Sequence, residues 1–524
     1  MPLSRFSRPV ARGALALMLS SVAGAALAQQ PDPREARIAA LEAQLRALSA
    51  EVAALKAETA AAPAVPAPAA SAAAAAPAPK KKEEGPSLAM SGLRPTISSA
   101  DGRFSVALRG VAMLDTARHF QDDPGPIATD LRRGGGAGDS ARARDLADGT
   151  NFRRARLGLE GKVLGDFSYN MTYEFGGSGT EEGGRLYEAS LAYTGVEGLQ
   201  IKGGAFEPMA GLSNASTSGM ILLERPAPAE VARNVAGGDS RVGLQVLAQK
   251  ERGEGENRSN LLVSGAVTGA VIGAAQSFDE QTGLIGRAVF APRMGDWLIQ
   301  GGVNGSYVLR PTDALGPDAA GARYPIQLRD RPELRVDGTR LVDTGSIDAE
   351  HAHTAGVEFA AQRGRVMLQG EYFQYGIDRR ASALADPRFH GWYVEGSWVL
   401  TGEKRRYNAA TATFDAPTPD EPFDRSAGAW GAWELAARYS LLDLNFDEGA
   451  PGTTPATGAV RGGEQSIWTL GLNWYLNPNV RFMLQGQHVE IDRLSPNAAT
   501  FLTPAGAQIG QELQTLALRA QLGF

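Results

Sequence analysis

The chain has 524 residues and no cysteine, which excludes disulfides, thiolate metal sites and cysteine nucleophiles. Its net charge of -6 lacks the basic excess of a nucleic-acid binder, so no nucleic-acid partner is expected. Apolar residues at 43% and a mean hydropathy of -0.20 do not fit a helical membrane protein, and 63 Gly with 30 Pro favour turns and strands over long helices.

The N-terminus carries Arg5, Arg8 and Arg12, then an apolar run from about Ala14, then Ala26-Leu27-Ala28, the pattern of a secretory signal peptide over 1–28. No later stretch reaches about 18 consecutive apolar residues, so no spanning helix is expected in the exported chain. Within 29–59, Ile38, Leu41, Leu45, Leu48, Val52 and Leu55 recur at steps of three and four, a short heptad seam that predicts a periplasmic coiled coil. So short a seam depends on a chain that already oligomerises. The other reading is one amphipathic helix resting on something else. Residues 60–97 begin as an Ala/Pro-rich linker that Pro keeps semi-extended. The folded domain is expected over 98–524.

From there the pattern has a period of two. Phe167, Tyr169, Met171, Tyr173 and Phe175 share one face, with Ser168, Asn170, Thr172 and Glu174 opposite. Trp468, Leu470, Leu472 and Trp474 likewise oppose Thr469, Gly471, Asn473 and Tyr475, and the chain ends with Leu516, Leu518, Ala520, Leu522 and Phe524 on one parity. Charged side chains recur on the second face too often for a dry core. Trp468 and Trp474 stand about 20 Å apart along a strand, a spacing that suits two membrane interfaces. The expected fold is therefore all-β, an antiparallel transmembrane β-barrel of about sixteen strands in the bacterial outer membrane, its last strand closing against the first.

The connections support the alternation of short turns and long loops that such barrels show. Leu164-Gly165-Asp166, Gly195-Val196-Glu197, Arg293-Met294-Gly295, Arg363-Gly364 and Asn477-Pro478-Asn479 fall at inner positions, and the long stretches near 118–151, 207–239, 311–349 and 444–463 at outer ones. The segment 403–427 breaks the rule, being long where an inner turn is due. Either the strand count slips there or that turn is unusual.

Several segments resemble the phosphate-selective porins O and P: FRRARLGLEGKVLGDFSYNMTYEF at 152–175, RPELRVDGTRLVDTG at 331–345, GWYVEGSWVLTGEKRRY at 391–407, GAWELAARYSLLDLN at 431–445 and LGLNWYLNPN at 470–479. The resemblance runs from about residue 100 to 524. It implies a sixteen-stranded barrel, a homotrimer, an inward-folded third outer loop, and an Arg- and Lys-lined pore that passes small anions such as phosphate. Ile or Val at a with Leu at d leans toward dimers, but the seam is too short to outweigh the implied trimer.

Strand parity supplies cations for such a pore. Arg103, Arg109, Arg154, Arg156, Lys162, Lys202, Arg241, Arg287, Arg310, Arg438, Arg481 and Arg519 fall on the polar face, where fixed donors can replace an anion's lost hydration. Glu160, Glu174, Glu188, Glu358, Glu371, Glu395 and Glu434 share that face. The loop 207–239 is the candidate constriction and holds Arg225 and Arg233 beside Glu207, Glu224 and Glu230, which is sparse for a dense arginine ladder. The expected pore-lining set is Arg109, Arg154, Arg156, Lys162, Lys202, Arg225, Arg233 and Arg241. For Arg225 the plain alternative is a salt bridge to Glu224 or Glu230, and for Arg153, Arg154 and Arg156 a rim position against loop acids or lipopolysaccharide phosphates.

Outer-membrane lipid and lipopolysaccharide are the expected surroundings, and no cofactor is expected. His351 and His353 read as a packing pair rather than a metal site. No GxSxG motif and no paired carboxylates suggest catalysis, so no enzyme is expected. Two other functions stay open: a general or weakly selective diffusion porin, and a barrel that mainly tethers the outer membrane to periplasmic partners.

Overall fold

A computed structural model describes residues 85–121, 146–177, 184–215, 219–253, 258–273, 279–314, 322–380, 383–496 and 504–524. The signal-peptide and coiled-coil expectations lie outside the described residues. Residues 87–98, placed by composition at the end of the linker, form a hairpin of β1 (Ser87–Ser91) and β2 (Arg94–Ser98).

Five more strands precede the third long loop, β3 (Ser105–Phe120), β4 (Gly149–Val163), β5 (Phe167–Glu174), β6 (Arg185–Val196) and β7 (Leu199–Phe206), and after that loop with its helix α1 (Ala227–Ala236) come β8 (Arg241–Arg252) and β9 (Ser259–Val271). β10 (Thr282–Met294) and β11 (Trp297–Arg310) lead to a loop with the short pieces β12 (Pro325–Ile326), β13 (Arg329–Asp330) and β14 (Val342–Asp343). β15 (Ile347–Arg363), β16 (Val366–Arg379) and β17 (Arg388–Val399) precede a small hairpin of β18 (Arg406–Asn408) and β19 (Thr413–Asp415). β20 (Ala432–Phe446), β21 (Val460–Tyr475), β22 (Val480–Asp492) and β23 (Gln511–Gly523) complete the chain.

Sixteen of these strands, β3–β11, β15–β17 and β20–β23, pair antiparallel in order, and β23 pairs back onto β3, with Ala517 opposite Ala117. Closure leaves the barrel no open edge. The terminal residue takes part: Phe524 N donates to Gly110 O at 3.0 Å and Gly110 N to Phe524 O at 2.9 Å. The Phe524 ring lies across Gly110, where a Cβ would stand 2.7 Å from it.

Burial runs opposite to that of a water-soluble sandwich. Leu470 is 68% exposed and Trp468 61%, whereas Thr469 between them is 1% exposed. The apolar parity faces outward and the polar parity inward, which is stable only where the outside is lipid. Tight turns close one end of the barrel; in the three-residue turn Leu164-Gly165-Asp166 between β4 and β5 the first two φ angles are positive, 57° and 84°. Long loops crown the other end.

The segment 403–427 proves to be an unusual turn rather than a miscounted strand. The connection from β17 to β20 starts at the short-turn end and folds into the lumen with the β18–β19 hairpin. Its backbone is held by inward side chains: Arg287 donates to Thr411 O at 2.7 Å and Ala412 O at 3.0 Å, Gln362 Nε2 to Arg405 O at 2.9 Å, and Asn260 Nδ2 to Ala409 O at 2.9 Å. Arg405 anchors it against β20 through Glu434 at 2.8 Å, and also donates to Gly219 O of the third long loop.

Candidate functional site

The third long loop enters the lumen from the opposite end and sits against β16 and β20–β23. Glu371 accepts from Leu212 N at 2.8 Å and Ser213 N at 3.1 Å, Gln485 Oε1 accepts from Leu223 N at 2.9 Å, and Asn473 Nδ2 donates to Ile221 O at 2.8 Å. Tyr375 donates to Pro228 O at 2.8 Å beside the start of α1. Glu333, from the loop between β11 and β15, caps that helix through Ala227 N at 2.8 Å and also binds Arg438 at 2.8 Å. A carboxylate at a helix N-terminus satisfies an otherwise unpaired donor and opposes the positive end of the dipole. Two long loops and one inner turn thus fill the lumen along β9–β23.

Free space remains against β3–β8 and, at the short-turn end, against the starts and ends of β21–β23. Near the short-turn end a cavity of about 530 Å³ is lined by Arg109, Arg156, Tyr187 and Arg481 together with Arg406 and Asp415 of the inward-folded turn. Toward the long loops a second cavity of about 300 Å³ is lined by Arg185, Arg241, Arg329, Arg331, Arg335 and Arg340, with Glu230, Asp239 and Asp330 among them.

A cluster of arginines carries the lumen wall at this level. Arg153 and Arg154 are both buried inside, although neighbours on a strand ordinarily face opposite ways. A β-bulge explains it: Met113 pairs with Arg154 and Leu114 with Phe152, so Arg153 is the extra residue. Arg153 Nε pairs with Glu224 at 2.6 Å, Arg156 Nε with Glu174 at 2.5 Å, and Arg225 Nη2 with Glu207 at 3.0 Å. Arg233 binds Glu207 at 3.1 Å, Glu230 at 3.2 Å and Asp239 as well. Arg156 also stacks its guanidinium 3.3 Å from the Tyr187 ring centre.

Arg154 differs. It is 3% exposed, its Nε and Nη1 have no hydrogen-bond partner, and among the described residues no carboxylate lies within ion-pairing distance of it. A buried guanidinium edge without an acceptor is costly, and an anion would relieve the cost with charge-assisted hydrogen bonds.

The loop carboxylates stay ionised around it. Burial would raise Glu224, but Arg153, Arg519 and Arg335 outweigh burial and hold it well below the usual carboxylate range. Burial acts likewise on Glu230, and Arg233, Arg335 and Arg225 pull it down to about 2. Asp330 goes the other way: burial and the nearby Glu230 push it up to about 8.

Of the residues expected from sequence, Arg154, Arg156, Arg225 and Arg233 come together here. Arg109 and Lys202 lie on the same wall, held by Glu160 at 2.9 Å and Glu188 at 2.7 Å. Arg241 lines the outer cavity and donates to Gly237 O at 2.7 Å and Gly269 O at 3.0 Å. Lys162 stands apart, exposed at the short-turn rim, as does Arg103, which precedes β3 and reaches Leu164 O. Arg225 pairs most closely with Glu207, with Glu230 at 4.0 Å. Sequence reasoning missed the inward position of Arg153, and it missed Arg329, Arg331, Arg335 and Arg340. Their signal was a run of arginines, Arg323 also among them, within one long outer loop, which strand parity does not address. Among the described residues no group of His, Asp and Glu is placed to hold a metal ion.

The sequence profile of the family described as "Phosphate-selective porin O and P" matches residues 134–515. The chain is similar to Porin O of Pseudomonas aeruginosa, 27% identical over 381 residues that cover 67% of this chain and 79% of that protein. It is also similar to an uncharacterized protein of Caulobacter vibrioides, 28% identical over 347 residues, 65% of this chain and 63% of that one. An anion-selective porin from Comamonas acidovorans superposes with a TM-score of 0.43 at 13% identity, over 80% of this chain and 100% of that one. That superposition is too loose to carry an argument, and the fold rests on the strand pairing itself.

Proposed function

The chain belongs to the phosphate-selective porin O and P family and forms an outer-membrane channel, and on that premise we propose that the arginine-lined space along β3–β8 is a pathway for small anions, phosphate or a related oxyanion among them. The family and the barrel point to a channel rather than an enzyme. The observation that carries the anion pathway is Arg154: a buried guanidinium whose Nε and Nη1 have no partner, two residues from Arg156 of the inner cavity, beside Arg153, Arg156, Arg225 and Arg233, which already hold carboxylates. An oxyanion with several acceptor oxygens suits it better than chloride, because each oxygen can take an N–H that is otherwise unpaired. The outer cavity, with arginines from the loop between β11 and β15, collects anions ahead of it. Spreading cations over both cavities keeps any single site from trapping the ion.

The test is the zero-current potential of the purified protein in a planar bilayer under a KCl gradient, followed by titration with phosphate. Anion selectivity with chloride current blocked by phosphate supports the reading, provided Arg154→Ala weakens the block. Weak or cationic selectivity without block rejects it and leaves a general diffusion porin. The assembly proposed with this pathway is a homotrimer with segment 29–59 in the periplasm, which chemical cross-linking of the full chain would count.

A further inference from the structure

On the lipid-facing side, polar groups interrupt the outward apolar positions toward the long-loop end, His390 with Asp443 and His488 with Glu490 and Glu512 among them, and one such cluster stands over two grooves. Tyr307, His353, Gly376 and Arg388 form one row across β11, β15, β16 and β17. His353 Nε2 lies 2.8 Å from Arg388 Nη1, Arg388 Nη2 donates to Asp378 at 3.3 Å, and the Tyr307 ring stacks over the imidazole at 6.2 Å and 14°. Gly376 makes the cluster possible: a Cβ there would stand 1.8 Å from Arg388 Nη1 and 2.4 Å from the His353 ring. Arg388 remains 53% exposed, so its other N–H groups point to a partner outside the barrel.

The height of the row identifies that partner. Trp297 and Trp398, each under an arginine, mark the periplasmic interface. From Arg363 to His353 is ten residues, and at about 3.3 Å per residue with a tilt of about 40° this rises roughly 25 Å, the height of the apolar band. The cluster therefore stands at the outer-leaflet headgroup level. Two grooves adjoin it, one of about 610 Å³ over Leu284, Gly286 and Gly305 and one of about 660 Å³ over Val357, Phe359, Gly370 and Trp392. Ala355, exposed on the same face, lies between His353 and Val357 and so between the two grooves.

We propose that this face binds a phosphorylated, acylated glycolipid of the outer leaflet, its phosphate on the Arg388 guanidinium that His353 and Asp378 position, and its acyl chains in the two grooves. The Arg388 guanidinium is half exposed with N–H groups left for an anionic head, and His353 Nε2 and Asp378 hold it in place for one. Apolar grooves directly below a phosphate-binding guanidinium fit an amphiphile rather than a free anion.

The experiment is native mass spectrometry of the protein extracted from outer membranes in mild detergent, with bound glycolipid quantified. Wild type should retain glycolipid, and the Arg388→Ala/His353→Ala double variant should retain at most about one tenth as much. Ala355→Phe, which leaves the polar cluster intact and crowds the grooves, should lose glycolipid as well. Arg363→Ala, at the periplasmic rim, should keep the wild-type amount. Wild-type retention in both the Arg388→Ala/His353→Ala and the Ala355→Phe variant overturns the proposal, as does a bound phospholipid in place of the glycolipid, or a loss of subunit association that would make the face a contact between copies. Heat-modifiable migration on gels checks that each barrel is folded. Chloride conductance and phosphate block should be unchanged in all variants, so failure here is distinguishable from failure of the anion pathway.

Discussion

Along β20–β23 the buried arginines that seat the third long loop are themselves held: Arg438 by Glu333 and Glu395, Arg519 by Asp115 and Glu224, Arg481 by Gln521 and the carbonyl of Met220. On β4 Arg153 and Arg154 are equally buried, yet Arg154 is left with an open edge. The first arrangement spends its charges on structure, since a paired and hydrogen-bonded ion has little left for a passing solute. The second keeps unsatisfied donors at a cost to stability, as the proposed anion site requires and a brace does not. One residue type suits either purpose, and the acceptors around it decide which.

The contrast is most easily broken on the braced side. Glu434 is fully buried and accepts from Arg405 at 2.8 and 2.9 Å, Asn473 at 3.1 Å and Tyr475 at 2.7 Å. Glu434→Ala leaves Arg405 buried without its carboxylate, a loss of about 3–5 kcal/mol. Denaturant unfolding should show it as a lower midpoint, and single-channel conductance should rise as the inward-folded turn loses its anchor. A variant with wild-type midpoint and conductance would mean that the turn is held by its backbone contacts alone.

On the open side the same kind of change should act in the opposite direction. Arg154→Ala removes a buried charge that nothing compensates, so the unfolding midpoint should stay level or rise. Phosphate block of the chloride current should weaken by about ten- to one hundred-fold, the range for losing one or two charge-assisted hydrogen bonds. If the midpoint falls as for Glu434→Ala, Arg154 is a brace and the comparison collapses. Arg335→Ala comes next in size. Arg335 pairs with Glu230 at 2.7 Å at the edge of the outer cavity, and losing it should reduce anion selectivity several-fold without abolishing block.

The braced side and the barrel itself were legible in the sequence because period-two alternation is a local property: once Trp468, Leu470 and Leu472 face one way, Thr469 and Asn473 must face the other. What stayed hidden depended on departures from that period or on tertiary placement. Arg153 faces inward only because of the bulge opposite Met113, which leaves no mark in residue types. Arg405 and Arg406 lay in a segment whose length was wrong for a turn, a clue that something was unusual but not that it folds inward. The arginines at 329, 331, 335 and 340 enter the site because Glu333 caps α1 and fixes their loop over the lumen, a contact across more than one hundred residues of sequence.

The smallest effect concerns the outer cavity and tests whether its charge, rather than its shape, gathers anions. Asp330 lines that cavity with its carboxyl pushed up to about 8, by burial first and by Glu230 second, so it is neutral at pH 7 and becomes an anion as pH rises through 8. Glu230, held at about 2, stays ionised throughout and contributes no change over the same range. The arginines keep their charge as well. Anion selectivity measured as zero-current potential should therefore be level from pH 5 to 7 and decline modestly between about pH 7 and 9. Asp330→Asn should remove the decline while leaving selectivity at pH 7 unchanged, since the replaced group was already neutral there. A decline that persists in Asp330→Asn would assign it to another group, and a selectivity indifferent to pH in both proteins would mean that the outer cavity acts by its dimensions, leaving the charge that selects anions to Arg154 and the inner cavity.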